Sequence, residues 1–387
     1  MQKVSYKEHF DYSLVTAILP RQTSGHVIEQ VMASGAANAM AINARGTLIK
    51  DKWYHSFLPS LSPEQEIVRF LVPNSETDHL MEQVVMLGKL KQFGAGSIYC
   101  HNCEELYCSN DFPLWKAGNY RFESVSFDIR FKKDLVAILY IAQKEQTEAI
   151  TRAAIRAGSQ GPTISYLEGI GLRDRLGILR ITKKPEKELI MAVVDRYDFD
   201  AVFQAMADAG KVDQPGSGFL FQVPVTKGLT NLASIFHAEK HSASIQQMVK
   251  AIDDLQGSTH WRANRLLIHD KKVSDWQHGK NVIKNASLLG SICHRKDVEI
   301  LLDTALQMGV PGSSLSYWRF IESKCEHTEA GKRINREFGF LSMILAPEKV
   351  APLREAMQET SKEHKMRETC FLNYSIPLAR TFRGKKI

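Results

Sequence analysis

The sequence predicts an α+β fold in which one strand-helix-strand-strand-helix-strand pattern is written three times. Three observations predict it. Three glycine-led blocks recur along the 387 residues: Gly35-Ala-Ala-Asn-Ala-Met-Ala-Ile-Asn-Ala-Arg-Gly46, Gly158-Ser-Gln-Gly-Pro-Thr-Ile-Ser-Tyr-Leu-Glu-Gly169 and Gly309-Val-Pro-Gly-Ser-Ser-Leu-Ser-Tyr-Trp-Arg-Phe320. Each follows an apolar run and a helix-period segment and precedes a polar loop, a second apolar run, a second helix and a last strand. The composition, 44% hydrophobic and 24% charged, is that of a globular protein and argues against disorder, collagen and coiled coil.

The elements follow in order. The opening strands are Leu14-Val-Thr-Ala-Ile-Leu, Leu135-Val-Ala-Ile-Leu-Tyr and Leu288-Leu-Gly-Ser-Ile-Cys. Helices are expected over roughly 25–34, 144–157 and 296–308, each stopping at a glycine suited to the left-handed position after a helix end. The next apolar runs are Ile67-Val-Arg-Phe-Leu-Val, Leu189-Ile-Met-Ala-Val-Val and Phe338-Gly-Phe-Leu-Ser-Met-Ile-Leu. The closing strands are Ser97-Ile-Tyr-Cys, Phe219-Leu-Phe-Gln-Val and Phe371-Leu-Asn-Tyr-Ser-Ile. This order is the ferredoxin-like plan, an antiparallel sheet with two helices on one face. The units are placed at 12–115, 120–240 and 262–387, the third the most diverged. Alternating Val125, Phe127, Ile129 and Phe131 suggest an extra strand before the second unit. Residues 241–256 read as helix, and 262–285 carry only the short apolar run Leu266-Leu-Ile.

Charge and cysteine narrow the function. The net charge of +7 permits acidic partners, but Lys and Arg form no stripe interleaved with aromatics, so nucleic acid is not expected. Six cysteines are too sparse for a disulfide scaffold. No apolar stretch is long enough for a bilayer and the N-terminus has no apolar signal core, which predicts a cytoplasmic protein not inserted in membrane. No dinucleotide fingerprint, Walker A, G-x-S-x-G or H-E-x-x-H sequence occurs, so no enzyme is expected.

One cluster has metal-ligand residue types: Cys100, His101, Cys103 and Cys108. It could equally form a redox-sensitive pair, and the plainer reading is buried or surface thiols. A second feature is aromatic. Trp53, Tyr54 and Phe57 fall in the first polar loop and read either as a partner-docking patch or as side chains packed on a neighbouring unit.

The second unit resembles the nitrogen-regulatory P-II signalling proteins. Gly158-Ser-Gln-Gly-Pro-Thr-Ile-Ser-Tyr-Leu-Glu-Gly-Ile-Gly171 is similar to the family's G-x-x-G-x-T-x-x-x-x-x-G-x-G at the base of its T-loop, and Gly216-Ser-Gly-Phe-Leu-Phe to its B-loop. The first unit adds Ala44-Arg-Gly-Thr-Leu48, Ser56-Phe-Leu-Pro59 and Phe93-Gly-Ala-Gly-Ser-Ile-Tyr99. The resemblance implies a single-chain pseudo-trimer with sheets facing inward, monomeric in solution. It also implies up to three inter-unit clefts for an adenine nucleotide such as ATP or ADP, with no cofactor required. Partners would be a transporter's cytoplasmic face or a metabolic enzyme of nitrogen or inorganic-carbon metabolism. The alternative is a metal- or other small-molecule-binding module related to divalent-ion tolerance proteins, or a scaffold with degenerate clefts.

Carried over residue by residue, the nucleotide loops are Thr163, Gly169, Gly171, Gly216 and Gly218 in unit two and Gly46, Gly94 and Gly96 in unit one. Glycine lets backbone amides approach phosphate closely. Unit three has Phe320, Glu322, Thr369 and Phe371 at the glycine positions, with Ser314 for the Thr. The family's B-loop lysine is Ser97, Phe219 and Leu372. Its paired C-loop arginines fall on Cys108 and Asn110, on Thr230 and Leu232, and on Arg383 and Lys385, with Arg380 near. The expectation is one hybrid cleft, unit-two loops facing the unit-three tail. The family's uridylylation motif is missing from all three loops.

Overall fold

The computed structural model describes residues 3–47, 64–92, 94–122, 129–171, 186–231, 252, 255, 281–322 and 336–383. The first run of elements is β1 (Tyr6–His9), β2 (Tyr12–Pro20), α1 (Arg21–Ala33), β3 (Asn38–Gly46), β4 (Glu64–Pro73), α2 (Thr77–Leu87), β5 (Gly96–Asn102) and β6 (Glu105–Ser109). The second is β7 (Leu135–Gln143), α3 (Thr147–Arg156), β8 (Thr163–Gly171), β9 (Glu186–Asp195), α4 (Phe199–Ala209), β10 (Phe219–Pro224) and β11 (Lys227–Asn231). The third is β12 (Val282–His294), α5 (Val298–Gln307), β13 (Gly312–Glu322), β14 (Arg336–Leu345), α6 (Val350–Glu363) and β15 (Cys370–Thr381). We refer to these runs as blocks 1, 2 and 3.

The result is a mixed α+β molecule in which the described residues form one large antiparallel sheet of 15 strands. Within block 1 the order is β5-β2-β4-β3, within block 2 β10-β7-β9-β8, and within block 3 β15-β12-β14-β13. The same neighbour order holds three times. Strand alternation sorts the side chains onto two faces. On one face, Leu14, Ile18 and Tyr99 of block 1, Leu139 and Met191 of block 2, and Phe338 and Leu372 of block 3 share a single core. On the other face, each block has its own core beneath its two helices, such as Val15, Val27, Val31 and Val84 in block 1. Helices lie outside, and the shared apolar face lies within.

The helix-end glycines behave as the sequence requires. Gly35, Gly158 and Gly309 follow the last residues of α1, α3 and α5 at φ 111°, 117° and 77°. The second helices end differently, with Lys89, Lys211 and Lys365 held at φ 52°, 50° and 56°. A side chain in that region is strained, and the repetition at three equivalent places shows that the backbone path dictates it.

Some sequence expectations differ from the structure. Helix α1 begins at Arg21 rather than near 25, and residues 144–146 form a short 3₁₀ turn ahead of α3. Residues 129–131 are not strand, and only Lys132 makes an isolated bridge, to Gly228; most of the strand expected there lies outside the described residues. Of the helix expected over 241–256, Ile252 and Leu255 are described and are helical. The short strands β1, β6 and β11 have no counterpart in the sequence reading.

Replacing Gly35 with Ala tests the turn directly. The new Cβ would stand 2.3 Å from the Asn119 carbonyl oxygen at φ +111°. We expect a loss of about 2 kcal/mol or more in urea unfolding. Gly25→Ala is the control: inside α1 and open on all sides, it should stabilise by roughly 0.5–1 kcal/mol.

Candidate functional site

Two sets of ladders join the blocks. In the first set the second strand of each block pairs with the next: Gly46 of β3 opposes Thr163 of β8, Gly169 of β8 opposes Ser314 of β13, and Phe320 of β13 opposes Met40 of β3. The three strands close a triangle. In the second set, each block's terminal strand lies on the neighbour's fourth strand. Strand β11 pairs β5, β6 pairs the start of β15, and the last residues of β15 pair β10. Every junction therefore carries the end of a second strand, the loop before a fourth strand, and a neighbour's terminal strand.

This register divides the sequence-predicted residues between two junctions. Gly46, Gly94 and Gly96 of block 1 meet Thr163 and Asn231 of block 2. Gly169, Gly171, Gly216 and Gly218 of block 2 meet Gly312, Ser314 and the Arg380–Arg383 end of block 3. Grouping Thr163 with the block 2 glycines is thus corrected. It stands across three strands of its own sheet from Phe221, roughly 14 Å by strand spacing. Thr163 is fully buried, and its hydroxyl donates to Gln65 Oε1 of block 1 at 2.9 Å.

The glycines differ in what they do. Gly216 and Gly218 have φ 80° and 106°, and Gly94 and Gly96 have φ 83° and 129°. A Cβ at Gly96 would sit 2.1 Å from the Ile18 carbonyl oxygen and one at Gly218 2.0 Å from that of Ile141. Packing against the block's first strand therefore demands glycine at both positions, whatever the loop binds. Gly46, Gly169 and Gly171 are strand residues, and a Cβ at Gly169 would meet only the flexible Lys187 side chain, at 2.9 Å.

The three junctions are unequal. Between blocks 1 and 2, the Gly94 amide donates to the Asn231 carbonyl at 2.7 Å, and the Asn231 side chain donates to Leu90 O. Between blocks 3 and 1, the Thr369 amide donates to Ser109 Oγ at 3.0 Å and the Ser109 amide to Thr369 O at 2.9 Å. Above block 3, Arg336 pairs with Glu322 and Glu368, and His294 also meets Glu368. Two carboxylates thus flank Arg336 there.

The junction of blocks 2 and 3 is different. The carbonyls of Gly216, Ser217 and Gly218 accept from Gln143 Nε2 at 2.9 Å, Tyr140 OH at 3.1 Å and Thr381 Oγ1 at 2.9 Å. In a trans peptide the following N–H points the opposite way, so the Gly218 amide is turned away from buried Tyr140. Arg380 brackets the loop through Asp213, with Nε to Oδ1 3.1 Å, and reaches Gln204 at 2.9 Å. Exposed Arg383 donates its backbone N–H to Asn281 Oδ1 at 3.2 Å. Lys385 lies outside the described residues, as do Trp53, Tyr54 and Phe57.

The cysteine-histidine cluster does not assemble. Cys100 faces the helices, His101 the shared core, Cys103 follows the strand, and Cys108 opposes Cys370 on the next ladder. No three His, Cys, Asp or Glu among the described residues are placed to hold a metal ion. Burial pushes the Cys100 thiol up to about 11 and Cys103 to about 12, so neither is a ready thiolate.

Sequence reasoning missed Asn231, Ser109, Asp213 and the Glu322–Arg336–Glu368 set. It also missed the interblock pairs Arg45–Glu188 at 3.0 Å and Arg319–Glu66 at 2.8 Å. Glu168 holds the corresponding position in β8, opposite Leu315. Each partner is remote in sequence, so no local signal marks it.

No family model matches the chain, and no curated protein does. Solved structures give weak likenesses. The P-II protein of Arabidopsis thaliana bound to citrate is 17% identical over 24% of this chain and 80% of its own, with a TM-score of 0.20. The regulatory subunit of aspartate kinase from Thermus thermophilus is 12% identical over 54% of this chain and 99% of its own, at 0.19. The aspartate kinase of Synechocystis is 7% identical over 95% and 44%, at 0.20. Among the described residues no helix is long and apolar enough to cross a membrane.

The carboxylate set above block 3 has a pH signature. Burial raises the Glu368 pKa, but the hydrogen bonds from His294 and Arg336 prevail and hold it below its ordinary 4.5. Its stabilisation is complete above that ordinary value and is lost as pH falls through the lowered one. Glu368→Gln should therefore lower the unfolding midpoint at neutral pH and flatten its decline between about pH 5 and 3. Denaturant titrations across that range read both effects.

Proposed function

We propose that the chain is a non-enzymatic regulator, a single-chain pseudo-trimer with one working cleft, between blocks 2 and 3, that binds an adenine nucleotide such as ATP or ADP. The observation that carries this reading is the β10–β15 ladder, which sets the Gly216–Gly218 loop beside Arg380, Thr381 and Arg383. Two facts support it further. The equivalent loop of block 1 spends an amide on Asn231, and that of block 3 is closed by Ser109 and faces Glu322 and Glu368. Phosphate brought to those two places would meet occupied donors or negative charge.

In the working cleft the outward amides of the glycine loop would cradle phosphate, and Arg383 and Lys385 would supply charge-assisted hydrogen bonds. A ligand that binds one arrangement of the loops better than another shifts the population by its differential affinity. Altered loops would then engage a protein partner, for which a transporter's cytoplasmic face or a metabolic enzyme is the reading that the P-II resemblance supports.

Calorimetry with ATP, ADP and cyclic AMP tests the proposal. Each charge-assisted contact contributes roughly 1.5–3 kcal/mol. Arg383→Ala and Lys385→Ala should each weaken binding about tenfold or more while leaving the thermal midpoint unchanged. An absence of wild-type binding at millimolar nucleotide would overturn it.

A further inference from the structure

Inside the shared core, away from the junction loops, lies a polar cluster that neither the strand ladders nor the nucleotide cleft uses. Arg69 of β4 is 6% exposed and His101 of β5 is 5% exposed. Strand alternation turns Arg69 to the face of Ile67 and Leu71, and His101 to the face of Tyr99, all on the shared core. Thr16 of β2 stands between them in the sheet, opposing Arg69 on one side and Tyr99 on the other. Block 3 covers the cluster. The guanidinium carbon lies 4.8 Å from the Trp318 ring centre and 5.3 Å from that of Phe340, and the His101 ring is 4.4 Å from that of Tyr374.

The hydrogen-bond inventory of this cluster is incomplete. Arg69 Nε and both ring nitrogens of His101 are buried without a partner. No carboxylate among the described residues forms an ion pair with Arg69. The two aromatic rings stabilise the cation through their π faces. They offer no lone pair to its five N–H donors. One imidazole nitrogen is likewise a donor in whichever neutral tautomer is present.

Among the described residues no carboxylate is paired with this cluster. Burial keeps the Tyr99 and Tyr374 phenols protonated by raising them above their ordinary value, although the field of Arg69 opposes the shift in both. Burial, and secondarily Arg69, pushes His101 down to about 3, so the imidazole is neutral. A buried cation surrounded by neutral groups with unspent donors is electrostatically incomplete. The chemical complement is an acceptor with one negative charge, small enough to be enclosed by side chains.

We infer that the core of this protein holds a small inorganic monoanion, of the size of chloride, nitrate or bicarbonate, bound by the Arg69 guanidinium and the His101 ring N–H beneath Trp318, Phe340 and Tyr374. The anion ties block 1 to block 3 from within, because its donors stand on the first and its aromatic cover on the third. It is distinct from the nucleotide cleft and does not depend on it.

Thermal unfolding of the full chain tests the inference, with chloride, nitrate or bicarbonate each raised to about 100 mM against gluconate at constant ionic strength. A ligand bound only by the folded state raises the midpoint with a saturating dependence on its concentration. We expect a rise of several degrees in wild type with at least one of the three anions, lost in Arg69→Met and reduced in His101→Phe. A wild-type midpoint indifferent to all three anions means that water alone satisfies the donors and overturns the inference. An anion response equal in wild type and Arg69→Met places the binding elsewhere and overturns it as well. Should Arg69→Met fail to fold, His101→Phe decides: an undiminished response counts against the site.

Discussion

A four-stranded antiparallel sheet with helices on one face leaves two edges of backbone N–H and C=O groups and one bare apolar face. In this molecule those edges complete one another. The second strands β3, β8 and β13 close a triangle, and the terminal strands β6, β11 and β15 reach across to the next block's fourth strand. An exposed edge is a liability that proteins manage explicitly, and here mutual pairing covers the edges of each block's four main strands, leaving the short β1 and β11 at the ends of the sheet path, while bringing the three apolar faces together. The placement of every loop discussed above follows from that pairing.

The pairing also explains why three similar blocks are not three equal sites. The end of a terminal strand always lands on the loop before the neighbour's fourth strand, so a single residue there decides what the loop has left to offer. Asn231 takes up the Gly94 amide and Ser109 ties down Thr369, whereas Thr381 donates its hydroxyl to the Gly218 carbonyl. In a trimer of identical chains these positions could not differ. Within this one chain they do differ, and Glu168, against Arg45 and Arg319 at the corresponding places, follows the same pattern.

Much of the local structure was legible. The periodicities of Leu14–Leu19 and Leu135–Tyr140 reflect strands with both faces buried, and Gly35, Gly158 and Gly309 mark helix ends that need a left-handed residue. The candidate glycines at 94, 96, 216 and 218 were also legible as turn residues. Their division into two junctions was not, because it depends on which block stands beside which. The short strands β1, β6 and β11 escaped notice for a related reason. Segments such as Tyr6-Lys-Glu-His9 and Lys227-Gly-Leu-Thr-Asn231 have little strand preference of their own and become strands only on a neighbour's edge.

The chain's own pattern set the order of the four main strands and two helices of each block, the two faces of each strand, the helix stops and the loss of glycine from the block 3 loops. These follow from side-chain periodicity and backbone sterics, which act within a few residues. The tertiary structure alone brings Thr163 to the first junction rather than the second and sets Arg69 against Trp318 and Phe340 in a shared core. Those outcomes depend on strand register between blocks more than a hundred residues apart. Register is fixed by the packing of whole sheets and leaves no local trace in the chain.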